Sequence, residues 1–421
     1  MRVYLTTLGC KLNQSEIEGW ARRLAAAGCY IVTGPANADA CIVNTCTVTN
    51  VAARKSRQLV RRCTRANPHA QLVVTGCFAE MEPDEVARLP GVALVLGTAD
   101  KERLAETVAE GWGVSLTERG PEMPNLPSLR TRALVKIQDG CNNACAYCVV
   151  RVARGRERSR SLQDVLDELL ARQGEGYQEI VLTGVNIGAY GRGRGKTLAG
   201  LVSAILDVSQ LTRLRLSSIE PWDLSPDLLR QWGSPRLCRH LHLPLQSGCD
   251  ATLRRMNRRC STAKYRDLVS HVREAIPDVA VTTDIIAGFP GETDEEFEAS
   301  AEFVAEMDFA RVHVFPFSPR PGTSAALMPQ QVRAPIKKAR AARMRAIAEA
   351  SGRAFRARFL GRTTDVLWET RQGDTWSGLA SSYIRVMATS RRELHNQVTT
   401  VRLLEVTEGG VRGELVNQLD A

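Results

Sequence analysis

The first hundred residues alternate between short, mainly apolar runs and longer amphipathic stretches. Val3 to Leu8, Ile42-Val43 and Leu72 to Val74 are the apolar runs, and each is soon followed by a cysteine: Cys10, Cys46 and Cys77. Behind each cysteine the hydrophobic period lengthens to that of a helix, over Ser15 to Ala27, Val51 to Ala66 and Pro83 to Leu89. Repeated strand, loop and helix predict a parallel sheet, whose ligands gather beyond the carboxyl ends of the strands. Cysteines that follow consecutive parallel strands would converge on one sheet edge, and convergent thiolates make a metal site. Gly9 and Gly76, each just before a cysteine, would let the backbone approach a bulky ligand.

A Pro-rich stretch, Pro121 to Pro127, marks a linker. Beyond it, strand patterns recur at Ala133 to Ile137, Glu179 to Leu182, Leu214 to Ser217, Leu241 to Leu245, Val279 to Ile286 and Ala310 to Phe315, with helical stretches between them. A basic helix is expected from Pro335 to Phe359. The tail then turns to short β-type runs, Thr364 to Trp368, Ser382 to Ala388, Gln397 to Val406 and Gly410 to Val416. The class is therefore α/β in three parts. An N-terminal parallel-sheet domain spans 1–115, a larger unit closer to an incomplete (β/α) barrel than to a Rossmann sheet spans 127–357, and a small β-barrel spans 358–421.

Composition narrows the chemistry. The 421 residues carry 56 Lys+Arg against 46 Asp+Glu, a net +10 that leans toward polyanionic partners. The N-terminal segment has no charged n-region followed by an apolar h-region, and no apolar run reaches 18 residues, so an unexported, cytosolic protein with no membrane partner is expected. Twelve cysteines in such a protein point to metal ligation or packing, because a reducing compartment keeps thiols free. Cys29, Cys41, Cys63, Cys238 and Cys260 read as packing residues, as do His240, His242 and His313. Thr293 with Glu296 reads as a capping box.

The sharpest local pattern is Cys141-Asn-Asn-Ala-Cys145-Ala-Tyr-Cys148, a C-x3-C-x2-C run directly after a strand. Three thiolates on one loop can hold three irons of a four-iron cluster and leave the fourth iron open to a chelating small molecule. A zinc site is the competing reading, although zinc usually takes four ligands from paired C-x2-C units. This run resembles the signature of the radical S-adenosylmethionine (SAM) superfamily. The resemblance implies that the open iron holds the amino and carboxylate groups of SAM, and that reductive cleavage gives a 5′-deoxyadenosyl radical.

The chain as a whole resembles the radical SAM methylthiotransferase family. The matching segments are Thr7 to Gln14, Val43 to Val48, Val74 to Cys77, Leu182 to Asn186, His242 to Gly248 and Thr283 to Glu292. The resemblance implies a second four-iron cluster on Cys10, Cys46 and Cys77, a radical SAM partial barrel, and a TRAM-like RNA-binding tail. It further places Thr183, Gly184 and Asn186 near the methionyl end of SAM, and Gln246, Ile286, Gly288 and Glu292 near its ribose and adenine. Ala144, Ala146 and Cys249 depart from the residues common in the family, while all six ligand cysteines are present.

The segments around Cys10, Cys46 and Gly184 look most like the branch that adds a methylthio group to C2 of N6-threonylcarbamoyladenosine at position 37 of tRNA. The isopentenyladenosine branch is the nearest alternative, and a branch acting on a ribosomal-protein aspartate is a further one. A noncatalytic iron–sulfur RNA-binding protein is the alternative of a different class. Implied partners are SAM, the anticodon stem-loop of tRNA and an unidentified electron donor. Basic runs at Arg54 to Arg57, Arg151 to Arg160 and Lys337 to Arg345 (Lys337, Lys338, Arg340, Arg343, Arg345) are expected to contact RNA phosphates.

Overall fold

The computed structural model describes residues 1–112 and 131–416, so the Pro-rich stretch and the expected boundaries at 115 and 127 lie outside the described residues. The chain forms two compact units. One gathers residues 1–129, 139–158 and 318–326, and the other gathers 130–138, 159–317 and 327–421.

The first unit is built on a parallel sheet of order β2-β1-β3-β4-β5, with β1 at Arg2–Thr7, β2 at Tyr30–Val32, β3 at Ala40–Thr45, β4 at Gln71–Gly76 and β5 at Val92–Val95. The central strands β3 and β4 are covered on both faces. Ile42 and Val73 pack with Ile17, Trp20, Leu24 and Val108 on one side, whereas Cys41, Val43, Leu72 and Val74 pack with Leu59, Val60, Cys63 and Phe78 on the other. Continuous apolar runs in these strands follow from that double coverage. Three helices leave the carboxyl ends of β1, β3 and β4: α1 (Lys11–Ala26), α2 (Asn50–Ala66) and α3 (Cys77–Met81).

The second unit holds two three-stranded parallel sheets. One is ordered β10-β9-β6, from β6 (Arg132–Lys136), β9 (Glu179–Thr183) and β10 (Arg213–Leu216); two-residue strands β7 (Gln138–Asp139) and β8 (Arg158–Ser159) lie between β6 and β9 in sequence. The other is ordered β11-β12-β13, from β11 (His240–His242), β12 (Ala280–Ala287) and β13 (Arg311–Pro316). Parallel bridges from Leu214 to Leu237 and from Ser218 to His242 join them into the expected partial barrel. One side of each strand feeds the helix-covered core through Val135, Leu182, Leu216, Leu241, Val281 and Val312. The opposite, concave side carries polar residues, among them Glu179, Arg213, Arg215, His242, Asp284 and His313. The capping box is present, with Thr293 accepting from Glu296 N.

The tail closes into a five-stranded barrel of order β14-β15-β16-β18-β17, from β14 (Thr363–Gln372), β15 (Thr375–Ala380), β16 (Arg385–Thr389), β17 (Val398–Thr407) and β18 (Gly410–Leu415). Trp368, Trp376, Val386, Val401, Leu403 and Val411 fill it. It caps the amino-terminal end of the partial barrel through polar contacts. Arg213 Nη1 donates to Leu379 O at 2.9 Å, Arg215 donates to Ser381 O at 3.1 Å and to Ala380 O at 3.2 Å, and His240 stacks on Tyr383 with centroids 4.1 Å apart. Glu179 pairs with both arginines from within, 2.6 Å from Arg215 Nε and 2.9 Å from Arg213 Nε.

Candidate functional site

All six cysteines singled out by pattern fall in the first unit, and all seven residues expected around SAM fall in the second. Cys10 is the residue immediately before α1, Cys46 follows β3, and Cys77 opens α3. The three strand ends converge as the topology requires. A Cβ added to Gly9 would stand 2.8 Å from Cys46 Cβ and 3.1 Å from its sulfur, and one added to Gly76 would stand 2.3 Å from Thr45 O. Both glycines have positive φ, +120° and +100°. Only glycine fits there without strain.

Burial pushes the Cys46 thiol up to about 11, with Cys77 and Cys10 adding to the rise. Among the described residues no three His, Cys, Asp or Glu side chains are spaced to hold a single metal ion. Ser56 fixes the Cys46 backbone from both sides, accepting from its N at 3.0 Å and donating to its O at 2.9 Å.

Cys141, Cys145 and Cys148 lie on a half-exposed loop. Its two ends are tied together by Cys141 N donating to Gly155 O at 3.1 Å, and Gly140 (φ +68°) passes so close to Arg156 O that a Cβ would sit 2.0 Å from it. Ala146 O accepts from Ala325 N at 2.9 Å, so the bare methyl of Ala146 coincides with a position where residues 318–326 approach the backbone. Immediately after the loop, Arg154 is a buried cation. Its guanidinium donates to Glu16 Oε1 and Asp139 Oδ1, each at 3.0 Å, and to Asn13 Oδ1 at 2.5 Å. Burial works against its charge, but Glu16, Cys77, Asp139 and Cys10 outweigh that and hold it well above the usual arginine range.

In the second unit, Thr183 ends β9 and is buried, and Gly184 follows so close to Gln138 that a Cβ would be 2.8 Å from Gln138 O. Gln138 Oε1 accepts from Val185 N at 3.0 Å and Asn186 N at 2.9 Å. Asn186 donates its amide to Asp223 at 2.7 Å, while its Oδ1 is buried with no hydrogen-bond partner. Ser217 Oγ, at the end of the neighbouring strand, is likewise buried and unbonded. Orphaned acceptors and hydroxyls at a strand edge suit a polar ligand. Gln246 takes a positive φ of 80° and bridges to β12, donating to Asp284 O at 2.8 Å and accepting from Ile286 N at 2.9 Å. Ile286 is half-buried, and Gly288 (φ +75°) presses against Lys337. The Glu292 carboxylate is occupied in shaping this loop: it accepts from Gly288 N at 2.9 Å and pairs with Arg340 at 2.8 Å.

The basic runs divide differently from expectation. Arg154 and Arg340 are buried ion-pair partners, Arg57 pairs with Glu85 and Arg160 with Glu168, and Arg343 is held by Glu298. Burial removes Arg154 and Arg340 from the expected phosphate contacts. Lys338 and Arg345 stay exposed. Arg345 joins Arg132, Arg311, Arg356 and Arg385 in lining a cavity of about 480 Å³ between the last long helix (Ala334–Ala357), β13 and the barrel. Sequence reasoning missed Arg154, Glu16, Asp139 and Gln138 as site residues. The one signal was that Asp139 and Arg154 flank the cysteine loop.

A parallel partial barrel with a C-x3-C-x2-C loop defines the class: residues 135–304 match the Radical SAM superfamily, and residues 2–97 match the Uncharacterized protein family UPF0004. Similar proteins include a threonylcarbamoyladenosine tRNA methylthiotransferase MtaB from Thermotoga maritima, 39% identical over 97% of this chain and 96% of its own length. A tRNA-2-methylthio-N(6)-dimethylallyladenosine synthase from Acidothermus cellulolyticus is 36% identical over 94% of this chain and 82% of its own. Among solved structures, the radical SAM methyltransferase TsrM from Kitasatospora setae shares the fold with a TM-score of 0.55 at 16% identity, covering 77% of this chain and 75% of that one. The chain belongs to the radical SAM methylthiotransferase family. Its cofactors are accordingly SAM and iron–sulfur clusters of the four-iron type.

Proposed function

We propose that the protein adds a methylthio group to C2 of N6-threonylcarbamoyladenosine at position 37 of tRNA. The supporting observation is the near-complete coverage, at 39% identity, of a relative carrying that name. Cys141, Cys145 and Cys148 would hold the cluster that binds SAM, and Cys10, Cys46 and Cys77 the auxiliary cluster. The crowded, glycine-lined strand ends and helix-start thiols fit such a ligand set. When bound, the clusters and SAM supply the electron, the radical and the methylated sulfur.

The chain's own residues bind and orient. Thr183, Gly184 and Asn186 would receive the methionyl end of SAM, with the unbonded Asn186 Oδ1 free to accept from its ammonium. Gln246, Ile286, Gly288 and Glu292 would shape the nucleoside side, Glu292 through the loop it holds. Functional domains are assigned to 1–115, 127–357 and 358–421, the last gripping the anticodon stem-loop beside the arginine-lined cavity. The setting would be cytoplasmic, with an electron donor still to be identified. Among the described residues no helix is long and apolar enough to cross a membrane.

Reduced anaerobically with SAM, the purified protein should convert threonylcarbamoyladenosine in tRNA to its 2-methylthio derivative, read by nucleoside mass spectrometry. A second reading, modification of isopentenyladenosine, is favoured by the 36% identical dimethylallyladenosine synthase. Product on isopentenylated tRNA alone would select it.

A further inference from the structure

The cysteine loop Cys141 to Cys148 is flanked by a buried charge network that ordinary stability does not require. Arg154, Glu16, Asp139 and Lys101 are all buried, and Lys101 Nζ stands 2.6 Å from Glu16 Oε2. A buried ion-pair network contributes little beyond what well-packed apolar side chains of the same volume would, because each charge loses its hydration. Arg154 and Lys101 are both paired with carboxylates here. What it provides is geometry.

The guanidinium fork joins three stretches of chain. It closes the cysteine loop by pairing with Asp139, two residues before Cys141, from its own position six residues after Cys148. It grips Glu16 on α1, which also accepts from Asn44 Nδ2 at 2.9 Å. And it grips Asn13 Oδ1, which lies 3.8 Å from Cys10 Sγ, while Asn13 Nδ2 donates to Leu8 O and Thr45 O, each at 3.0 Å. Those two carbonyls immediately precede Gly9-Cys10 and Cys46. A single planar group with several fixed donors thus connects the loop of one cysteine set to the two strand ends of the other, which a lysine could not do.

We propose that Arg154 is a positioning residue that, through Asn13, fixes the spacing of the Cys141–Cys145–Cys148 loop from the Cys10–Cys46–Cys77 set, and so couples SAM cleavage to sulfur transfer. This rests on the two-cluster reading given above. Transfer requires the activated base to meet the methylated sulfur, and a misplacement of about 1 Å between reacting partners can cost on the order of a hundredfold in rate. Cleavage of SAM draws on the Cys141–Cys145–Cys148 set and not on the Cys10–Cys46–Cys77 set.

The test compares reconstituted wild type with Arg154→Lys and Asn13→Ala. The first keeps the charge and loses the fork; the second leaves the ion pairs and removes only the link to Cys10 and Cys46. Iron per chain, the EPR spectrum of the dithionite-reduced protein, and the ratio of 5′-deoxyadenosine to methylthiolated nucleoside are measured on threonylcarbamoylated tRNA. Both variants should keep wild-type iron, show an altered magnetic interaction between the reduced clusters, and raise the ratio about tenfold. Arg154→Lys at the wild-type ratio and spectrum, or Asn13→Ala unchanged in both, overturns the proposal; should Arg154→Lys not fold, Asn13→Ala decides alone. Wild type holding iron for one cluster only would instead remove the two-cluster reading, before any variant is compared.

Discussion

Replacing Glu179 with glutamine changes one atom at the junction of the partial barrel and the C-terminal barrel, and its cost can be worked from the structure. Burial would push the Glu179 carboxyl up, but Arg215, Arg213 and Arg132 outweigh it and hold it at about 2, against an ordinary 4.5. At about 1.4 kcal/mol per tenfold, that difference is about 3 kcal/mol of favourable interaction at neutral pH. Breaking a buried pair by removing one partner costs about 3–5 kcal/mol by an independent route. The two agree. Because Arg213 and Arg215 also hold the carbonyls of Leu379, Ala380 and Ser381, the loss should appear as looser docking of the barrel. Hydrogen exchange in β14 to β16 of Glu179→Gln should accelerate by about a hundredfold, the equivalent of about 3 kcal/mol. The sign with pH is fixed: the carboxylate's folded value is depressed, so its stabilisation is complete above 4.5 and is lost as pH falls from there toward 2. The gap between wild type and variant, followed by urea unfolding, should therefore be constant from pH 7 to 5.5 and shrink toward pH 3. An acceleration below about threefold at neutral pH, or a gap undiminished at low pH, refutes the reasoning.

Replacing Cys141, Cys145 and Cys148 together with alanine should leave about four irons per chain and abolish 5′-deoxyadenosine, while the same change at Cys10, Cys46 and Cys77 should leave 5′-deoxyadenosine and abolish methylthiolation. Iron analysis and chromatography decide both, and iron equal to wild type in the second variant dismisses the auxiliary site. Gly76→Ala, which drives a Cβ to 2.3 Å from Thr45 O, should cost at least about 2 kcal/mol in thermal unfolding. Gly28→Ala, also at positive φ but with nothing within 4 Å, should cost less; equal losses would show that strain alone governs both sites. Removing Lys338 and Arg345 together should reduce the salt slope of tRNA binding by roughly 1–2, and an unchanged slope leaves the helix face as solvated surface.

Periodicity sufficed for those strands of the three parallel sheets that carry continuous apolar runs, and for the helices behind them. It missed β2 and β5, short flanking strands whose side chains are half exposed and whose apolar content is correspondingly thin. It also missed β15, where Gly378 interrupts the pattern so that the backbone can pass Leu367 O, 2.5 Å from where a Cβ would be. The cysteine sets were legible because their spacing or strand-end position carries the chemistry. Arg154 was not, since a basic residue among Arg151, Arg156, Arg158 and Arg160 reads as surface, and its acid partners lie 15 and 138 residues away. Arg340 was misread for the same reason: a helical repeat of cations does not reveal which of them turns inward to Glu292.

The first compact unit is not a prefix of the chain. Its last segment, 318–326, is synthesised roughly 200 residues after its first segment is complete. At about 5–20 residues per second, a ribosome takes on the order of 10–40 s to cover that interval. During it, Glu16 has Lys101 but not Arg154, and once Arg154 has emerged the backbone at Ala146 still awaits Ala325. On a nascent chain shorter than about 326 residues the unit lacks its last segment, and the cysteine loop lacks the partner that Ala325 gives Ala146. In the cell, the timing of iron delivery relative to translation should matter more for this protein than for one whose ligands are sealed in by a contiguous stretch of sequence.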